Sequence, residues 1–194
     1  MIAVRKRWVM ECKEKDYFAA LYDVARVINA SLDPCRVLEE IVKTLTKAMD
    51  VKACSLRLLD SRRNNLLLGA VCGLSAGCMC EGPISVQESG LDQEVLKGKI
   101  IHVKDVRADK DLKGRAKAEG VESVVAVPLI VEDKVIGVLK LYAATSLEFS
   151  EQEMKFIEAV ANLSAMALEN ARLHDALQTN YDLMIAHEYR IDDN

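Results

Sequence analysis

The sequence predicts an α+β fold, with a central antiparallel sheet of about five or six strands, helices on both faces and a long helix at the C-terminus. Three observations carry this. Ser123 to Ala143 holds two apolar, β-branched runs around the polar Glu132-Asp133-Lys134, the pattern of a β-hairpin. Directly after it, Ser150 and Glu153 have the spacing of a capping box in Phe149-Ser150-Glu151-Gln152-Glu153. From Glu151 to about Glu188 there is no proline or glycine, so nothing local stops a helix of about 38 residues.

The remaining elements follow in order. Phe18, Leu21, Tyr22, Ala25 and Ile28 recur at helical spacing, which predicts an amphipathic helix with these residues inward. Asp33-Pro34 suits the start of a second helix, in which Val37, Leu38, Ile41, Val42, Leu45 and Met49 face the core. Val51 to Asp60 and Leu66 to Gly73 read as strands around a polar loop, a second hairpin. Alternation puts Cys54, Leu56 and Leu58 across from Leu66, Leu68, Ala70 and Cys72, with Cys54 opposite Cys72 and Arg57 on the wetter face. Between Leu74 and Val121 the pattern is less regular: a Gly- and Cys-rich loop, a short strand at Pro83 to Val86, a helix at Leu91 to Lys97, a strand at Ile100 to Val103 and a short charged helix ending near Glu119. Pro128 is expected where its missing N–H meets an edge or bulge.

Hydrophobic content of 51% with 29% charged residues fits one buried domain with an appendage. Residues 1–15 read as an N-terminal extension, 16–172 as the domain and 173–194 as a C-terminal signalling or coiled-coil helix. A formal charge of −4 argues against a nucleic-acid surface, which needs clustered Lys and Arg. Arg5-Lys6-Arg7 is followed only by Trp8-Val9-Met10 before Glu11, too little for a secretion signal, and no apolar run reaches the length of a membrane span. The chain therefore reads as cytoplasmic, and its six cysteines as thiols. In the long helix, Phe156, Val160, Leu163, Ala167, Asn170, His174, Leu177, Tyr181 and Met184 alternate spacings of four and three, a seam for a parallel homodimer with Asn170 buried to fix register.

The motifs V-x-x-V-P-L (from Val124), V-I-G-V-L-x-L (from Val135), F-S-E-x-E (from Phe149) and A-x-A-x-E-N-A-R-L (from Ala165) resemble the end of a GAF domain. The resemblance spans Tyr17 to Leu173. It implies a PAS-like sandwich whose middle segment closes a ligand pocket over one sheet face, and a sensory role in signal transduction. The pocket candidates are Cys80, His102, Ser123, Val125 and Tyr142, groups on or near the strands that bracket the family cavity. The ligand and any cofactor stay unnamed, because the family binds cyclic nucleotides, tetrapyrroles, small acids or gases. Ala143-Ala144 stands where nucleotide-binding members carry N-K, and Cys80 lacks the neighbouring histidine common at bilin attachment sites. Members that reduce free methionine sulfoxide need cysteines where Glu88-Ser89-Gly90-Leu91 and Glu122-Ser123 stand here, so no enzyme is expected.

Two other readings stay open. Cys72, Cys78 and Cys80, with Cys54 near them, are soft ligands suited to zinc or an iron–sulfur cluster, or to a thiol redox sensor. The long helix alone would serve a ligandless dimerisation scaffold. Ala186-His187-Glu188-Tyr189-Arg190 resembles a histidine-kinase phosphoacceptor box without its proline. It is a remnant, a chance match or an acceptor for a separate histidine kinase.

Overall fold

Two hairpins build the sheet, and a computed structural model describes them within residues 16–31, 33–79, 82–108, 112 and 117–191, with 78, 79 and 184–191 as backbone only. The first hairpin joins β1 (Ala53–Leu59) to β2 (Asn65–Cys72), and the last joins β5 (Ser123–Val131) to β6 (Lys134–Ala143). Glu132 and Asp133 turn the second at φ 45° and 63°, both left-handed, which matches the twist of the strands they connect. β1 and β6 pair antiparallel at the centre, with Ser55 opposite Lys140 and Arg57 opposite Val138. Short strands β3 (Ile84–Ser85) and β4 (Ile101–Val103) close the edges, giving the order β3-β2-β1-β6-β5-β4. Pro128 is tolerated because β4 pairs only with Val124 to Ala126 and ends before reaching it.

Cys54 does lie opposite Cys72, but the register shifts between Leu56 and Arg57, where Gly69 is the extra residue on β2. A bulge of this kind turns the strand by one residue. Leu66 therefore faces away from Ala70 and Cys72, against the expected alternation, and packs with Leu91, Val95, Ala126 and Val138. The close crossing of the hairpins requires Gly137, where a Cβ would stand 2.4 Å from the Arg57 carbonyl oxygen.

One sheet face, with Cys54, Leu56, Val125, Val127, Leu129 and Leu139, packs beneath three helices. α1 (Tyr17–Ala30) and α2 (Pro34–Met49) come first, the short α3 (Ala76–Met79) and α4 (Gly90–Val95) lie between the two hairpins in sequence, and α5 (Glu151–Ile191) returns after the sheet. Asp33 caps α2 by accepting from the Cys35 and Arg36 amides at 3.0 and 3.4 Å, and all six expected inward residues are buried. The capping box of α5 forms as well: the Ser150 amide donates to Glu153 Oε2 at 2.9 Å and the Glu153 amide to Ser150 Oγ at 3.2 Å. Tyr17 ties α1 to α5, its hydroxyl donating to Glu153 Oε1 at 2.9 Å and its ring 5.0 Å from that of Phe156.

Both helical seams differ from the expected ones. α1 turns Tyr17, Leu21, Val24 and Ile28 inward and leaves Phe18 and Tyr22 81% and 63% exposed. The core keeps Leu21 and Ile28 of the expected face and takes Tyr17 and Val24 in place of Phe18 and Tyr22. In α5, Phe156 and Val160 are buried and Leu163 and Ala167 pack against the same core, so the first half of the expected dimer seam is used within the chain. Asn170 is exposed, and it stands in a second stripe with exposed Met166, Leu173 and Leu177.

Two outcomes follow. Gly137→Ala forces a side chain into the β1 backbone and lowers stability by about 1–3 kcal/mol in urea denaturation. Burial and the Glu153 carboxylate push the Tyr17 hydroxyl up to about 12 from its usual 10.0. The folded state thus holds this proton more tightly, and the contribution is complete below the unfolded value and lost as pH rises toward the folded one. Denaturation between about pH 10 and 12 should show the wild type losing stability relative to Tyr17→Phe.

Candidate functional site

The opposite sheet face carries polar groups at positions that would otherwise be apolar. Ser55 and Arg57 on β1 and Lys140 and Tyr142 on β6 share this face, by alternation from the core-facing Leu56, Leu139 and Leu141. Arg57, expected on a wet face, is only 6% exposed; Lys140 is 4% exposed. Arg57 folds onto the carbonyls of Leu66 and Gly82, and Lys140 lies against Asp92 of the helix α4 (Gly90–Val95). Leu91 and Val95 anchor α4 on Leu66, Ala126 and Val138, which brings Asp92 down onto the sheet.

Asp92 has no exposed surface, and the Lys140 ammonium straddles its carboxylate. Nζ donates to Oδ2 at 2.9 Å and lies 2.7 Å from Oδ1, off the axis of a second directed hydrogen bond. Ser89, the N-cap of α4, accepts from the Asp92 amide at 3.4 Å and donates to Oδ2 at 2.8 Å. Arg57 Nη1 donates to the carbonyls of Leu66 and Gly82 at 3.3 and 3.2 Å. Ser55 Oγ and the Tyr142 hydroxyl share a hydrogen bond of 3.1 Å. Beside the ion pair lies a cavity of about 200 Å³, lined by Ile84, Ser85, Ser89, Asp92, Leu112 and Lys140. A larger groove of about 650 Å³ opens at the hairpin tips, but its Arg172 is 75% exposed and already paired to Glu169 at 2.7 Å. Buried charge, which has lost its water and needs a partner, marks the cavity under α4 as the candidate site.

The sheet divides the expected pocket residues. Tyr142 is on the cavity face. Val125 is on the other, in the core beneath the helices. Ser123 follows the same alternation; it donates to the Thr145 carbonyl at 2.7 Å and accepts from the Leu147 amide at 3.3 Å, which fixes the turn into α5. His102 pairs in register with Val125, so it too faces away from the cavity, its ring 5.8 Å from Phe149 and Nε2 buried without a hydrogen bond. The expected histidine in the pocket is thus a strand-edge residue packed on an aromatic ring, and one register position decides it.

Of the expected sulfur ligands, Cys54 is buried in the core under the helices, and burial pushes its thiol far up, against the thiolate a metal needs. Cys72 sits half-buried opposite it on the same face. Cys80 lies outside the described residues, as do the side chains of Cys78 and of the His187 box. Among the described residues no group of three or more His, Cys, Asp or Glu is placed to hold a metal ion.

A sheet with helices α1, α2 and α5 on one face and a short helix closing a polar cavity on the other defines a sensory-type α+β module. The model of the GAF domain matches residues 31–169, and the chain belongs to the GAF domain family. It is similar to the formate hydrogenlyase transcriptional activator FhlA of Escherichia coli, 23% identical over 167 residues covering 82% of this chain and 24% of that protein. The chain therefore spans about a quarter of the length of that relative. Among solved structures it resembles the GAF domain of a phosphoenolpyruvate-protein phosphotransferase from Coxiella burnetii, with TM-score 0.73, 22% identity and coverage of 82% of this chain and 96% of that one. It also resembles free methionine-R-sulfoxide reductase from Neisseria meningitidis in complex with its substrate, with TM-score 0.69, 24% identity and coverage of 81% and 91%.

Removing one partner of the ion pair strands the other as a buried charge. Lys140→Met and Asp92→Leu should each cost about 3–5 kcal/mol in urea denaturation, while the double variant recovers much of that loss.

Proposed function

We propose that this chain is a non-catalytic sensory module that binds a small molecule in the cavity under α4 and passes its occupancy to α5. The observation that carries this reading is the buried Lys140–Asp92 pair: it hangs α4 from the sheet beside a cavity of about 200 Å³, so an occupant touches both elements at once. A ligand that favours one position of α4 shifts the population toward it. β6, which bears Lys140, leads through Ala143 and the Ser123-fixed turn to α5, a short path from site to output.

The output in this reading is a helix pair with a second copy of the chain. α5 has 41 residues, about 60 Å of helix, more than the sheet beneath it can cover. Phe18 and Tyr22 on α1 and Met166, Leu173 and Leu177 on α5 expose apolar surface on the outer side of the same helical layer. Residues 173–191 would then form the signalling extension beyond the domain. A match to part of a transcriptional activator fits a regulatory module joined to an effector. The similarity to a reductase does not extend to its chemistry in this reading, because Glu88-Ser89-Gly90-Leu91, the stretch where the resemblance places that subfamily's cysteine, holds none, and the Ser89 hydroxyl is engaged with Asp92. Among the described residues no helix is long and apolar enough to cross a membrane.

Light scattering on the eluting protein should give a dimer. Phe18→Glu with Leu177→Glu should give a monomer whose thermal midpoint for the domain changes little, since both side chains are exposed; a wild-type monomer at micromolar concentration contradicts the relay through paired helices.

A further inference from the structure

Asp92 lines the cavity under α4 and has no exposed surface. A carboxylate offers about four lone-pair positions over its two oxygens. Here Oδ2 accepts from Lys140 Nζ at 2.9 Å and from Ser89 Oγ at 2.8 Å. Oδ1 accepts no hydrogen bond among the described residues, since Nζ lies 2.7 Å away but off the axis of a directed bond. A buried acceptor without a donor is costly, so this oxygen is where the N–H of an occupant gains most. Ser85, on β3 in the same lining, has a hydroxyl without a hydrogen bond among the described residues, and so has a donor to offer.

We infer that the cavity under α4 takes a small uncharged amide, whose N–H donates to Asp92 Oδ1 and whose carbonyl accepts from Ser85 Oγ; this rests on the ligand-binding reading above. One open acceptor and one open donor in the same lining match the N–H and C=O that an amide carries together. Charge works against the alternatives. An ion entering this space leaves its water and meets a like charge in the lining, Lys140 for a cation, Asp92 and Glu88 for an anion. Pro83, Ile84 and Leu112 are the apolar members of the lining, and about 200 Å³ leaves room beside them for a short alkyl tail.

Thermal unfolding of the whole chain with propionamide tests this. The controls are N,N-dimethylpropionamide, which keeps the carbonyl and lacks the N–H, and sodium propionate against sodium chloride at equal ionic strength. Propionamide should raise the midpoint saturably, by about 3–6 °C at a tenfold excess over Kd, with neither control giving a comparable rise. Lys140→Met combined with Asp92→Leu removes the acceptor without stranding a charge, and it should abolish the response. Should that variant not fold, Ser85→Ala leaves the ion pair intact and should raise Kd by about three- to tenfold. An equal rise with either control overturns the inference and leaves the binding module standing, as does an undiminished response in the double variant or an unchanged Kd in Ser85→Ala. Silence toward propionamide also overturns it, and native mass spectrometry then separates the two levels: a retained small molecule keeps the module, whereas a bare protein removes both.

Discussion

The contact on which the cavity side of this molecule depends is the ion pair between Lys140 in a central strand and Asp92 in a six-residue helix. Neither charge reaches water, so neither is tolerated without the other, and the pair acts as a position-specific constraint more than as a source of net stability. α4 has too few residues to be stable on its own. Leu91 and Val95 give it an apolar footing, Ser89 caps it, and Asp92 sets where along β6 it must stop. The polar space beside it exists because a charged contact replaces the close apolar packing found on the helical face.

The two faces of the sheet thus divide the labour. Under α1, α2 and α5 the core residues are mostly apolar, and the Cys54 thiol is buried as one of them. Under α4 the face is mixed, with small apolar clusters around Arg57, Lys140 and Tyr142. The bulge at Gly69 lets one hairpin serve both needs: it keeps Ala70 and Cys72 in the helical core and turns Leu66 toward α4. Strands that contribute to both layers connect a site on one side with a helix on the other, without any long chain of contacts between them.

Much of the fold was legible because its signals are local. The hairpin turns, the Asp33-Pro34 start of α2, the Ser150–Glu153 box and the uninterrupted α5 each rest on neighbouring residues. What was lost depends on register between distant strands. His102, Ser123 and Val125 fall on the helical face because of how β4 and β5 align with β6, a pairing that alternation within each strand does not reveal. The bulge reversed Leu66, and nothing marked it beyond a glycine in the middle of a strand. The ion pair did leave a signal: Lys140 interrupts V-I-G-V-L-K-L and Arg57 interrupts C-S-L-R-L-L, single charges in runs otherwise apolar. Such residues are either wet or paired, and burial from the tertiary fold chooses between them.

The faces of α1 and α5 were only partly legible for a related reason. α1 and α5 each carry two apolar stripes, and periodicity does not say which one the sheet takes. The core takes Tyr17, Leu21, Val24 and Phe156, Val160, while Phe18 and Tyr22 on α1 and Met166, Leu173 and Leu177 on α5 stay exposed. In the proposed relay, the sheet is what lies between the cavity under α4 and the helix α5.

Native-state amide hydrogen exchange on Lys140→Met tests most directly whether the ion pair holds α4 in place. The account predicts that residues 90–95 drop to exchange by local opening while α2, β5 and β6 keep exchanging only through global unfolding. If residues 90–95 remain as protected as in the wild type, the pair is not what fixes this helix, and the site described beneath it has lost its organising contact.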